Sequence, residues 1–182
     1  GFYATIPDKE ALEIFRPALT GPSEKIGHNL KYDLAILRNH GMEVSSPLFD
    51  TLIAHTLLYP DQRHSMDYLA ESLLGYSTIK LSDLTGSDSS ENGEEVSQGD
   101  LFAEADIADL ASIPASLMAR YAAEDADVTL QLANLLRPSL EAKGQHRVFY
   151  DIEARVLPVL VAMEDEGIAL ELCVGLHSGQ LQ

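Results

Sequence analysis

Between Glu24 and Leu58 the chain alternates between two hydrophobic periods over segments too short to fold alone. "EKIGHN" (Glu24 to Asn29) reads as a short strand and "LKYDLAILRNHG" as a helix closed by Gly41 at its C′ position. "MEVSSPLFD" supplies another short strand, and Asp50 stands where it can cap the helix "TLIAHTLLYP". Short strands alternating with helices specify an α/β class.

The alternation extends in both directions. "GFYATIP" alternates and ends at a proline, as a strand does. "DKEALEIFRPAL" reads as a helix with Asp8 as N-cap and Glu10 in the first turn, and "SMDYLAESLLGY" as one capped by Ser65. A long helix runs from about Leu117, and Pro138 is predicted to stop or kink it. "VFYDIEARVLPVLVAMEDEGIAL" is a further amphipathic helix, interrupted by Pro158, ending at Gly167 with little after it to pack against. There is no internal repeat.

At 182 residues and 46% apolar content, the chain can bury one ordinary core, or one core plus a fragment of another. Twelve basic residues face 29 acidic ones, a net charge of −17. That argues against gripping nucleic acid by charge alone. It leaves open a protein that meets phosphates through bound cations, which reverse the local field. Cys173 is the single cysteine, so neither an intramolecular disulfide nor a thiolate metal cluster is expected, and a cytoplasmic setting is the default. No apolar run reaches membrane-span length, so no membrane partner is expected, and nothing in the sequence fixes an oligomeric state. From Gly86 to Ser112 the chain holds eight acidic residues and no Lys or Arg. This stretch reads as a solvated insertion, short of the apolar surface that would offset ordering entropy.

Two carboxylates sit where a core stripe is expected. Leu117, Tyr121, Val128 and Leu132 form one apolar stripe at helical spacing, with Asp125 in its middle. Leu30, Asp33, Leu34 and Leu37 repeat the arrangement on another helix. An unpaired carboxylate turned toward a core is costly. Either acid alone is accounted for by a backbone hydrogen bond or an Arg. Together, each has a polar partner one turn before it, Asn29 for Asp33 and Tyr121 for Asp125, and hard divalent cations take such carboxylate oxygens.

"KIGHNLKYDLAILRNHG", "PLFDTLIAHTLL", "RHSMDYLAESLLGY" and "RYAAEDADVTLQL" resemble, in this order, the 3′–5′ proofreading exonuclease domain of the bacterial DNA polymerase I family, of the Klenow-fragment type. "VFYDIEARVLPVLVAMEDEGIAL" is similar to the segment where that family passes into its polymerase domain. The resemblance implies a ribonuclease H-like α/β fold, a mixed sheet flanked by helices. It places the exonuclease domain at 1–144, with the acidic insertion at about 86–112, and the start of the polymerase domain at 145–182.

By the same resemblance, Asp33 and Asp125 match metal ligands and Tyr121 matches the tyrosine that orients the attacking water. Asn29, Lys31 and Tyr32 match positions lining a single-stranded 3′ end of primer DNA. Arg63 matches a phosphate-contacting arginine, and Leu81 falls where relatives can carry an aromatic that packs on a terminal base. Mg²⁺ or Mn²⁺ in a two-metal site is implied, as all-oxygen ligation suits. A polymerase domain in cis and a bacterial, cytoplasmic, nucleoid-associated setting are implied as well.

The family's first motif, an Asp-x-Glu inside an apolar strand, has no match. Asp8-Lys9-Glu10 follows a proline and opens a helix, where its acids suit the helix dipole. "GFYATIP" resembles the third strand of the fold, so the chain is expected to be truncated at both ends. It is expected to lack the first two strands and to be inactive alone. Two other readings stand beside this one: a catalytically dead exonuclease-like scaffold, and a ribonuclease D-like exoribonuclease. His55, His64 and His146 lack metal-ligand spacing and read as surface or packing residues. Tyr59, Tyr68 and Tyr76 read as core.

Overall fold

The computed structural model describes residues 7–44, 47–80, 84 and 113–167. The opening strand expected at Gly1, the acidic insertion, Leu81 and everything after Gly167 lie outside the described residues. The chain order is α1 (Asp8–Thr20), β1 (Lys25–Gly27), α2 (Leu30–Asn39), β2 (Leu48–Asp50), α3 (Thr51–Leu58) and α4 (Met66–Leu69). A wide π turn, Ala70–Leu74, extends α4. The long α5 (Ala115–Ala142) follows, then a second π turn (Val148–Glu153) that runs into α6 (Ala154–Glu166).

Among the described residues the sheet is a parallel pair, with Lys25 opposite Leu48, Ile26 opposite Phe49 and Gly27 opposite Asp50. A parallel pair needs a crossover, and α2 provides it. Gly41 closes α2 as expected, at φ 72°. Gly41 N–H donates to Arg38 O at 2.8 Å and Met42 N–H to Leu37 O at 2.9 Å, and Met42 is then buried.

The main core forms where one face of α5 meets α3, α4 and β2. Val128, Leu132, Ala133, Leu136 and Leu140 pack there with Phe49, Ala54, Leu58, Leu69 and Phe149. The Arg137 guanidinium lies 4.3 Å over the Phe49 ring while pairing with Glu24 at 2.7 Å, which fastens the end of α5 to the start of β1. A smaller cluster joins Leu30 and Leu34 of α2 to Leu48, Leu157 and Val161. The last helix, expected to have little after it to pack against, packs back onto the earlier α2.

Three local expectations are corrected. Pro138 does not stop α5, which continues to Ala142. Its ring is exposed and the carbonyl it deprives, on Asn134, is on the exposed face, while Leu136 and Leu140 anchor the final turns in the core. Pro158 likewise sits exposed within an uninterrupted α6. Helix α1 starts at Asp8 with Pro7 in the cap position, one residue earlier than expected. Among the described residues no helix is long and apolar enough to cross a membrane.

Candidate functional site

The end of β1, the first turns of α2 and the middle of α5 enclose a cleft of about 360 Å³. Its walls include Gly27, His28, Asn29, Tyr32 and Asp33 on one side and Asp125, Ala126 and Thr129 on the other, with Met66 beneath. Asp33 and Asp125, about ninety residues apart in sequence, thus share one hollow. A larger hollow of about 520 Å³ follows the next face of α5, along Tyr76, Ile79, Arg120 and Glu124. It contains neither Asp33 nor Asp125. Glu124 is engaged there, accepting from the Tyr76 hydroxyl at 2.5 Å and from Ile79 N–H at 2.7 Å. Tyr76 is accordingly 46% exposed, and the expectation that it packs in the core is corrected. Tyr59 and Tyr68 do pack against the core.

The acids of the cleft are held apart from bulk water to different degrees. Asp33 is open at the mouth of the hollow but hemmed in by its walls, and this burial, with the charge of Asp50 nearby, pushes its carboxyl up to about 6. Asp125 is half-buried. Burial raises it to about 6, helped by like charge from Asp67 and Glu124, against the pull of a hydrogen bond from Tyr121. Tyr121 donates its hydroxyl to Asp125, and burial together with that carboxylate's charge raises the phenol far above its ordinary value. The tyrosine therefore keeps its proton at neutral pH.

His28 is buried, with Nδ1 2.8 Å from Thr51 Oγ1, and burial lowers it to about 4. Because the Thr51 hydroxyl donates to Gly27 O at 3.1 Å, Thr51 accepts from His28, which fixes the ring proton on Nδ1. Asp50, 2% exposed, accepts from the backbone N–H groups of Asn29 (3.1 Å), Leu30 (2.8 Å), Leu52 (2.9 Å) and Ile53 (3.4 Å). Burial raises its carboxyl and these four donors pull the other way.

Of the residues expected at a site, the cleft gathers Asn29, Tyr32, Asp33 and Asp125, with Tyr121 bonded to Asp125. Lys31 is outside the lining, its ammonium 2.6 Å from Glu164 of α6. Arg63 lies in the exposed loop between α3 and α4, and Leu81 lies outside the described residues. Asn29 holds the N-cap position of α2, but its side chain makes no capping bond. His28, Thr129 and Met66 gave no sequence signal, since single polar or apolar residues at strand ends and on helices are common. Asp50 was legible only as the cap of α3.

A hard divalent cation suits two partly desolvated carboxylates that line one hollow. Among the described residues no three His, Cys, Asp or Glu side chains gather as a complete metal shell. The carboxylate oxygens of Asp33 and Asp125 fit such an ion in kind.

Residues 3–141 match the family model described as 3′–5′ exonuclease of the DNA polymerase A group. The chain belongs to the 3′–5′ exonuclease family of bacterial DNA polymerase I. It is 35% identical over 167 residues to DNA polymerase I of Rhizobium leguminosarum, covering 91% of this chain and 15% of that one. It is 33% identical over 181 residues to DNA polymerase I of Pseudomonas aeruginosa, covering 96% of this chain and 18% of that one. The chain thus spans less than a fifth of the length of these relatives.

Among solved structures it is similar to Brucella melitensis NrnC bound to pGG, at 27% identity and TM-score 0.57, covering 89% of this chain and 68% of that one. It is also similar to the same protein with bound Mg²⁺, at 25% identity and TM-score 0.55, covering 97% and 72%. The fold is the ribonuclease H-like α/β exonuclease fold expected from the sequence.

Proposed function

We propose that this 3′–5′ exonuclease domain serves a longer DNA polymerase I. It would hydrolyse the last phosphodiester of a mismatched primer end, with polymerase sequence beginning at about 145. A cytoplasmic, nucleoid-associated setting follows from that role. The observation that carries the reading is the meeting of Asp33 and Asp125 in one cleft, with Tyr121 donating to Asp125.

Asp33 and Asp125 would hold Mg²⁺ or Mn²⁺, which supplies charge stabilisation to the phosphoryl oxygens and a more acidic water. Tyr121 stays protonated in this environment, so its role is to donate a hydrogen bond and orient water, with no part as a base. Asn29 and Tyr32 line the same hollow and would receive the terminal nucleotide, one through its amide and one through its ring face. Lys31, Arg63 and Leu81 would act further along the strand. A net charge of −17 repels phosphates, so cations at the two aspartates are what would make the approach favourable.

The test is Mn²⁺ titration of the isotopically labelled chain, followed by paramagnetic broadening of backbone amide signals. Broadening should centre on α2 and α5 around Asp33 and Asp125. Asp33→Asn and Asp125→Asn should each weaken it about tenfold or more, the scale of losing a metal-supporting group. Broadening spread over the acidic surface, indifferent to both substitutions, would refute the reading. The similarity to NrnC bound to pGG favours a second substrate reading, an exonuclease taking short oligonucleotides. Binding competition between a short oligonucleotide and a longer single-stranded DNA 3′ end separates the two.

A further inference from the structure

We infer that Asp50 is the positioning residue of the cleft, a single carboxylate that sets the turn from which Asn29 and Asp33 project. The inference rests on the cleft being the functional site. Asn29 is the one non-glycine residue with positive φ among the described residues, at φ 63° and ψ 49°. A residue with a β-carbon is disfavoured in the left-handed region, Asn less than most, and persists there where its surroundings determine it.

Those surroundings are Asp50. Its Oδ1 accepts Asn29 N–H at 3.1 Å and its Oδ2 accepts Leu30 N–H at 2.8 Å, so both oxygens face the start of α2. The same Oδ1 takes Leu52 N–H at 2.9 Å from the start of α3. Backbone N–H groups aimed at an ionised acceptor make hydrogen bonds about twice as strong as neutral ones. Two helix N-termini balance the charge that burial would otherwise make costly. Parallel pairing of Gly27 with Asp50 sets the carboxylate beside the turn that leaves β1.

Two consequences reach the cleft. An Asn at an N-cap ordinarily sits in extended backbone and caps with its side chain, but Asn29 is held in the left-handed region and makes no such bond. Its amide is left to line the hollow. Asp33 lies one helical turn beyond Asn29, so the direction of α2's first turn fixes where its carboxylate sits. Asp50 does not line the hollow; beyond its charge, which bears on Asp33, it acts through the backbone N–H groups it holds, and the Asn29→Gly rescue separates the two.

The decisive substitution is Asp50→Asn, which keeps the shape and presents an amide in place of one acceptor oxygen. In the 182-residue chain it should move Asn29 out of positive φ, read from the intraresidue amide-to-Hα contact by NMR. It should also weaken Mn²⁺ broadening at α2 about tenfold, within the range for groups that orient metal ligands. Adding Asn29→Gly, which accepts the left-handed turn without strain, should restore broadening at Asp33. A plain stabilising cap would lower the melting temperature and leave φ and the rescue unmoved, and that result would overturn the inference.

If Asp50→Asn does not fold, hydrogen exchange of the unsubstituted chain decides. The Asn29 and Leu30 amides should be protected although neither has an intrahelical partner, and rapid exchange at both would refute the proposal. Absent Mn²⁺ broadening in the unsubstituted chain, with the Asn29 turn still lost in Asp50→Asn, would sink the metal reading and support the positioning role.

Discussion

The early turns of α5, around Leu117 and Tyr121, and its later turns, from Val128 to Leu140, share one helical period but have different neighbours. Val128, Leu132, Leu136 and Leu140 are each at most 2% exposed, whereas Leu117 is 39% exposed. The later turns lie across α3, α4 and β2. The early turns lead to the cleft, where Asp125 faces a hollow instead of a core. A periodic stripe states which face a helix can bury, and the partner decides how much of it is buried. Asp125 is tolerable because it lies at the boundary between the two regimes, half-buried and accepting from Tyr121.

The sharpest break of this comparison is a pair of truncations. Leu132→Ala should cost about 2 to 5 kcal/mol, the range for emptying a filled core site, while Leu117→Ala should change stability by about 0.5 kcal/mol or less. Similar losses in denaturant melts would mean that the two halves are equally packed.

A smaller effect separates buried histidines from cleft acids through pH. His55 is fully buried, with Nδ1 2.8 Å from His64 Nδ1, so one ring of the pair must donate and the other accept. Burial, with the nearby charges of His64 and Lys143, lowers His55 to about 4, and burial lowers His28 to about 4. Their folded values lie below the unfolded value near 6.5, so their contribution is complete above pH 6.5 and is lost as pH falls toward 4. Asp33 and Asp125, raised to about 6, have the opposite sign and add stability as pH falls from about 6 toward 4. Both acids are partly open to water, which shrinks their share, so the loss from the two histidines should outweigh their gain on acidification. His55→Gln should flatten that loss in melts between about pH 7 and pH 4. Unchanged acid sensitivity would count against the buried histidine pair.

The smallest expected change is a gain. Asp125→Asn removes a charge that burial disfavours, so the melting temperature at about pH 7 should rise slightly while Mn²⁺ binding falls. At about pH 4 the difference in melting temperature should vanish, because the aspartate is then protonated. A variant less stable in neutral than in acid solution, relative to the parent, would show that Asp125 supports the fold.

Much of this was legible because short-range chemistry dictates it. The β1–α2–β2 unit followed from period and punctuation, down to Gly41, whose positive φ a β-carbon would strain. Asp33 and Asp125 were legible as polar residues on apolar stripes. Pro138 misled because a proline's cost depends on whether the carbonyl it deprives faces water, and Asn134 is exposed. Tyr76 misled because a large ring with a hydroxyl is equally served by a surface carboxylate, here Glu124. His55 and His64 lie nine residues apart, and no local pattern reports that two imidazoles will meet in a core.

By itself the sequence determined the family, the α/β class and which carboxylates are out of place, since these depend on residue type and spacing along the chain. Tertiary structure alone decided that Asp33 and Asp125 share one cleft, that α6 returns to pair Glu164 with Lys31, and that Asp50 caps α2 as well as α3. Each is a meeting of segments distant in the chain. Its geometry is set by how helices cross a sheet, and no local period encodes that crossing.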